Sequence, residues 1–234
     1  MKCKVLGCNG SYPAANGACA GYLLMQGDDM LQMDMGCGVL PRLMALTDPA
    51  NLGAVILTHW HFDHASDLLP LCYYLKINKL KLKVLAPPQT HPLREILTGN
   101  EYEFLDISKP RTISGFEITS IRVEHPVPAY AVRIQRDGKC LVYTGDVAGG
   151  EGLAEFCRGA DLLICDATFT KAQYKEGLPH FTSSSAGELA RKAGVKRLML
   201  THIPPNGEEE TLVREAKNEF PESFPARLSM NVEV

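Results

Sequence analysis

Apolar positions along this chain gather in short runs, some shaped like strands and some like helices. The most apolar run of the first half, Leu52 with Ala54, Val55, Ile56 and Leu57, has the character of a strand buried on both faces. It stops at Thr58, and after a short polar interval an apolar, helix-compatible segment runs from Ala65 to Leu75. Upstream, Lys2 to Leu6 alternates as a first strand, and Cys19 to Gln26 with Met30 to Asp34 form a hairpin turned by Gly27-Asp28-Asp29. Val39 to Leu46 reads as a short helix ahead of Asp48-Pro49. From Lys76 to Lys83, lysines alternate with apolar residues, which predicts a strand with a lysine-covered outer face that discourages edge pairing. Val84 to Ala86 extends that strand, Pro87-Pro88 ends it, and a short helix runs from His91 to Leu97, His91 being expected at the surface.

The second half repeats the style. Strands are predicted over Gly115 to Glu124, Tyr130 to Gln135 and Lys139 to Thr144, the last two joined by the Asp137-Gly138 turn. A helix over Glu151 to Cys157, a buried strand over Asp161 to Cys165, and a helix over Ser183 to Ala193 with Ser/Thr caps and a following Gly194 come next. Val195 to Leu200 is a strand, Glu208 to Phe220 an amphipathic helix, and Arg227 to Val232 a last strand. Each half passes from consecutive strands to strand and helix alternation, a weak internal repeat. Its clearest sign is the echo of Ile56-Leu57-Thr58-His59 in Met199-Leu200-Thr201-His202. The expected fold is α/β: two sheets face to face with helices outside, an αββα four-layer sandwich. Both strand tips would then meet at one edge, where open α/β sheets place ligands.

At 234 residues with 45% hydrophobic content, the chain can bury the core of one domain spanning 1–234. A net charge of −3 supplies no basic field for DNA or long RNA. Eight cysteines without a C-x-x-C pair, several inside apolar segments, point to a reduced cytoplasm. No signal-like start and no apolar run long enough to span a bilayer are present, so no membrane association is expected.

The polar interval after the central strand carries the chemistry. His59 and His61, two apart in extended chain, point the same way and can converge on one cation; Asp63 and His64 fall where the chain turns into the helix and diverge from them. That spacing suggests two metals. Further candidates stand at other strand ends: His125, held extended by Pro126; Asp146, after a Gly145 that permits close backbone approach; and His202.

The run His59-Trp60-His61-Phe62-Asp63-His64 resembles the signature of the metallo-β-lactamase superfamily. The resemblance implies that His59, His61 and His125 hold a first metal, that Asp63, His64 and His202 hold a second, and that Asp146 bridges them. It gives Asp34 a supporting role without metal contact. The cofactors implied are two divalent ions, zinc first, with manganese or iron also served by imidazole and carboxylate. Such a pair lowers the pKa of a shared water toward about 7, so no side-chain nucleophile is required.

The segment Leu178-Pro179-His180-Phe181-Thr182 followed by three serines is similar to the ribonuclease Z branch. There a histidine ahead of a hydroxyl-led helix assists the leaving oxygen, which falls to His180, with Asp166 orienting it; Asp63 counts as catalytic as well as metal-binding. The helix start is also a natural place for a phosphate. That branch carries a tRNA-gripping arm between the third histidine and the bridging aspartate, whereas only a hairpin fits between His125 and Asp146 here. Transfer-RNA 3′-end cleavage is therefore disfavoured. The chain looks more like small bacterial relatives such as atypical class II cyclic-nucleotide phosphodiesterases. The expected activity is hydrolysis of small phosphodiesters, cyclic nucleotides foremost, with a thioester, lactone or β-lactam hydrolase as rival; the partner is a small molecule, and a homodimer is compatible with the sequence.

Overall fold

The computed structural model describes residues 1–98 and 101–234. In the N-terminal half, β1 (Lys2–Gly7), β2 (Gly21–Gln26), β3 (Asp29–Met33), β4 (Leu52–Ile56), β5 (Leu82–Ala86) and β6 (Tyr102–Asp106) lie side by side in chain order. In the second half, β7 (Arg111–Ile113), β8 (Phe116–Val123), β9 (Ala129–Arg136), β10 (Lys139–Tyr143), β11 (Leu162–Asp166), β12 (Leu198–Thr201) and β13 (Ser223–Pro225) do the same. The last strand, β14 (Asn231–Glu233), returns to pair with β1, so both sheets have seven strands.

Burial explains the layering. In β4, Ala54 and Ile56 face the opposite sheet, packing with Tyr22, Leu31, Leu141, Tyr143 and Ile164. Val55 and Leu57 face outward, into a cluster supplied by α1 (Val39–Met44), α3 (Leu68–Asn78) and α4 (Pro92–Leu97). The second sheet repeats this: Val142, Leu163 and Leu200 are covered by α5 (Leu153–Phe156), α6 (Ser183–Ala193) and α7 (Glu209–Glu219). A strand with apolar groups on both faces removes both from water, and the result is the expected αββα sandwich.

The internal repeat is exact in pairing but not where the sequence echo put it. Counted from β14 in one sheet and β7 in the other, each sheet makes three antiparallel pairings and then three parallel ones. By that count β4 corresponds to β11, not to β12, although β4 and β12 carry the similar sequences. The two apolar strands resemble each other because both deliver a histidine at a buried sheet end, not because they occupy equivalent places.

Two predicted elements are corrected. The segment Ala65 to Leu75 is not one helix: α2 (Phe62–Ala65) ends at Ser66, and α3 starts at Leu68. The neighbouring chain takes the backbone groups a continuous helix would use, because Met35 N–H donates to His64 O at 2.7 Å and Asp67 N–H to Met35 O at 2.9 Å. Downstream, α3 runs through Lys76 to Asn78 and stops at Lys79, which has φ 55. The lysine strand begins only at Leu82, and it lies between β4 and β6, so its lysines guard no sheet edge. The short strands β6, β7 and β13 were not anticipated, and the final strand is confined to Asn231–Glu233. Among the described residues no helix is long and apolar enough to cross a membrane.

Candidate metal centre

The central strands of both sheets end on one rim. Asp34 follows β3, His59 to His64 follow β4, Asp146 follows β10, Asp166 ends β11 and His202 follows β12. His125 stands just beyond β8, where Glu124 and Gly149 make a bridge. Seven side chains named from the sequence thereby come together in two groups: His59, His61, His125 and Asp146, and Asp63, His64, Asp146 and His202.

In the first group, Nδ1 of His61 lies 3.0 Å from Nε2 of His59 and 3.2 Å from Nε2 of His125, and Oδ2 of Asp146 is 3.6 Å from the former and 4.0 Å from the latter. In the second, Nε2 of His202 is 3.1 Å from Oδ2 of Asp63 and 3.4 Å from Oδ2 of Asp146, and Nε2 of His64 is 3.1 Å from Oδ1 of Asp146. One carboxylate thus turns an oxygen to each group.

The opposite edges of the imidazoles decide which nitrogens are free. His64 Nδ1 lies 2.7 Å from Oδ2 of Asp34, and His125 Nδ1 lies 3.1 Å from the Pro179 carbonyl; both acceptors require N–H at Nδ1. The Thr58 hydroxyl donates to Asp34 at 2.9 Å, so its oxygen accepts from Nδ1 of His59 at 3.1 Å. The Thr168 hydroxyl gives its proton to Asp166 at 2.7 Å and accepts from Nδ1 of His202 at 2.8 Å. In all four rings Nε2 is therefore the nitrogen that faces inward, the arrangement that orients histidines toward a cation. Ring nitrogens and carboxylates converging in a buried space need positive charge among them, carried by protons on His64 and His202 in the metal-free chain and by cations when these are bound. Nε2 of His64 and Oδ1 of Asp146 are buried without any hydrogen-bond partner despite their closeness. The donor set therefore fits two divalent ions.

The electrostatics agree. Burial, followed by the charge of His64, holds His59 well below the ordinary histidine value; burial also lowers His61 and His125, so these rings are ready as neutral donors. Burial opposes the charged form of His64 and His202, but Asp146, with Asp34 beside His64 and Asp63 beside His202, outweighs it. His64 is raised well above its usual value and His202 to about 9. Burial likewise opposes ionisation of Asp146, yet His202, His64 and His59 together hold it well below the carboxylate range.

Close backbone approach shapes the rim. A side chain on Gly145, which has φ +58, would put Cβ 2.8 Å from Cβ of Thr58; one on Gly10 would lie 2.1 Å from Cε1 of His202. Asp34 and His202 themselves hold left-handed backbone, φ 52 and 58, a conformation disfavoured for side-chain-bearing residues and concentrated at working sites.

His180 and Asp166 also meet. Nδ1 of His180 donates to Oδ2 of Asp166 at 2.8 Å, leaving Nε2 for the adjoining cavity, and its ring stacks on His202 with centroids 4.7 Å apart. This cavity, about 350 Å³, is lined by His61, Phe62, Asp63, His125, Asp146 and His180 among others. The start of α6 does not join it. Of its first amides, Ser183 N–H is engaged with Phe169 O at 2.9 Å and Ser185 N–H with Oγ1 of Thr182 at 3.1 Å.

Sequence reasoning missed Thr58, Thr168 and Tyr143, the last donating to Asp34 at 2.9 Å. A threonine directly before His59 was the available signal for the first; the others come from distant segments. His91 is no free surface residue: its Nδ1 accepts from Leu93 N–H at 3.2 Å as the cap of α4, and its ring stacks on Trp60.

Comparison with known proteins places this arrangement. A family model described as a beta-lactamase superfamily domain matches residues 34–203. The probable metallo-hydrolase YhfI of Bacillus subtilis is 35% identical over 230 residues, covering 94% of each chain. The crystal structure of YhfI superposes with a TM-score of 0.93, covering 99% of this chain and 98% of that one. A ribonuclease Z of Archaeoglobus fulgidus is 26% identical, covering 100% of this chain and 98% of its own; that alignment runs over 300 positions, more than the 234 residues here, so the ribonuclease carries segments this chain lacks. A diphosphatase from the PhnP family shares the fold at 17% identity, with a TM-score of 0.80 over 100% of this chain and 97% of that one.

Proposed function

The chain belongs to the β-lactamase superfamily as a metallo-hydrolase, and from that premise we propose that it hydrolyses small phosphodiesters with two divalent ions, zinc first and manganese or iron as alternatives. His59, His61 and His125 would hold one ion, Asp63, His64 and His202 the other, and Asp146 both. When bound, the ions supply Lewis acidity and lower the pKa of water at the site.

The observation that carries the choice of substrate class is the pair His180 and Asp166, 2.8 Å apart beside both groups. An alkoxide is a poor leaving group and needs a proton as its bond to phosphorus breaks. Asp166 accepts from Nδ1 of His180 and so fixes the edge of the ring that faces the cavity, from which a proton carried on Nε2 can be delivered. A thiolate leaves without such help, which argues against thioester hydrolysis, and nothing in the pair serves a lactone or β-lactam better. Asp63, a proposed metal ligand, also lines the cavity wall. The segment between His125 and Asp146 is the β9–β10 hairpin, with no room for a tRNA-gripping arm, and the net charge of −3 supplies no grip on a polyanion. A small molecule suits the cavity.

The test is a substrate panel. Zinc- and manganese-loaded protein is assayed against bis(p-nitrophenyl) phosphate, cyclic nucleotides, a thioester and a cephalosporin. Phosphodiesters should be turned over fastest, and a slower rate on them than on the other classes overturns the reading.

A further inference from the structure

Phe62 stands apart within its own loop. Its neighbours His61 and Asp63 turn into the metal groups, whereas its side chain is 69% exposed on the wall of the same cavity. A phenyl ring left in water forgoes the stabilisation that burial gives it. This ring also has an aromatic neighbour. The His91 ring is roughly perpendicular to it, with centroids 6.4 Å apart at 68°, and His91 is nearly parallel to Trp60, 5.9 Å away at 14°. Trp60 is buried and anchored by its Nε1–H to the Pro87 carbonyl at 3.0 Å, while His91 is fixed by the Leu93 amide. The three rings form a step from the core to the cavity. Of the chain's seven histidines, His91 alone takes no part in the clustered groups around Asp146.

We propose that Phe62, backed by His91 and Trp60, is a stacking platform for a nucleobase, which makes the substrate a nucleotide; the assignment rests on the phosphodiester reading above. A flat aromatic base offers a π-face to an exposed phenyl ring and excludes water from both, and such stacking is tolerant of which base is bound. An aliphatic diester gains nothing comparable. The cavity, about 350 Å³, lies in the range of small-ligand sites. Because Phe62 follows a proposed ligand directly, a base resting on it stays close to a phosphate held at the centre. A second copy of the chain could also cover an exposed ring, but Phe62 lines the cavity beside the candidate metal centre, whereas the exposed Tyr73 and Ile77 of α3 do not line it.

The test uses binding, so it is separate from turnover. Trp60 is the chain's one tryptophan, and its fluorescence reports on the step. Zinc-loaded protein is titrated with adenosine 5′-monophosphate and, as a base-free control, ribose 5-phosphate. The nucleotide should bind about tenfold or more tighter. In Phe62→Leu, which keeps apolar bulk without a ring, and in Phe62→Ala that advantage should vanish, while Phe62→Tyr should retain it. Circular dichroism checks that each variant folds. Equal binding of the two ligands by the unaltered protein, or an undiminished advantage in Phe62→Leu, overturns the platform. So does a dimer that dissociates in Phe62→Ala, seen by sedimentation, with nucleotide binding unchanged. Loss of the platform with bis(p-nitrophenyl) phosphate still hydrolysed leaves the phosphodiester reading standing, and the reverse result condemns only that reading.

Discussion

Asp166 orients two histidines at once: Oδ2 accepts from Nδ1 of His180 at 2.8 Å, and Oδ1 accepts the Thr168 hydroxyl whose oxygen receives Nδ1 of His202. The proposed proton donor and one proposed metal ligand therefore share a support. His180→Ala should remove only the first function. Turnover of a diester with an alkoxide leaving group should drop by about 10² to 10⁴, and that of a p-nitrophenolate diester much less. Metal content should be unchanged. Rates against leaving-group pKa, with metal analysis of the same samples, check this; equal losses on both substrates would remove His180 from the acid role.

Thr58→Val keeps the shape that packs on Gly145 but deletes the hydroxyl linking Asp34 to His59. Without that acceptor the ring is free to turn. Metal affinity should fall by about 10- to 100-fold with the fold intact, measured by competition with a chromophoric chelator. An unchanged affinity would mean that packing alone holds His59.

Gly10→Ala tests the other side of the centre. Its new methyl would meet the His202 ring at 2.1 Å, and a ring in strained left-handed backbone has little freedom to yield without leaving its partners. The second ion should be lost first, bringing metal content from about two per chain toward one. Full occupancy of both places would contradict this.

Proton release should accompany metal loading. His202 is raised to about 9 in the metal-free protein, and His64 is raised well above its usual value, so both carry protons near neutrality that a cation must displace. Apparent affinity should climb as pH rises from about 7 toward 9. Titration calorimetry in buffers of different ionisation enthalpy counts the protons; no release at pH 7 would refute the assignment of His202 as a ligand.

The same shifts set the stability of the metal-free chain. His202, raised in the fold, contributes stability that is fully present below its unfolded value of about 6.5 and is lost as pH rises through about 9. His59, His61 and His125, lowered in the fold, act oppositely: their contribution is present above about 6.5 and is lost as pH falls. Chelator-treated protein should therefore melt highest between these limits, and both flanks should flatten when metal is restored. Melting temperatures against pH, with and without zinc, check it.

Much of this protein was legible in one dimension because its chemistry is local in one place. His59, His61, Asp63 and His64 sit on a single loop after a strand apolar on both faces, and such a strand must be covered on both sides, which already implies layered sheets and helices. The strand ends that carry His125, Asp146 and His202 could be named for the same reason. What only the tertiary structure decided are the relations between distant segments. Met35 interrupts the helix after His64 by taking its backbone partners; Thr58, Thr168 and Tyr143 tie ring and carboxylate orientations; and β4 answers to β11, not to the look-alike β12. Local patterning records which groups must leave water, but a hydrogen bond between remote residues leaves no periodic trace, and its partner becomes known only when the chain has folded.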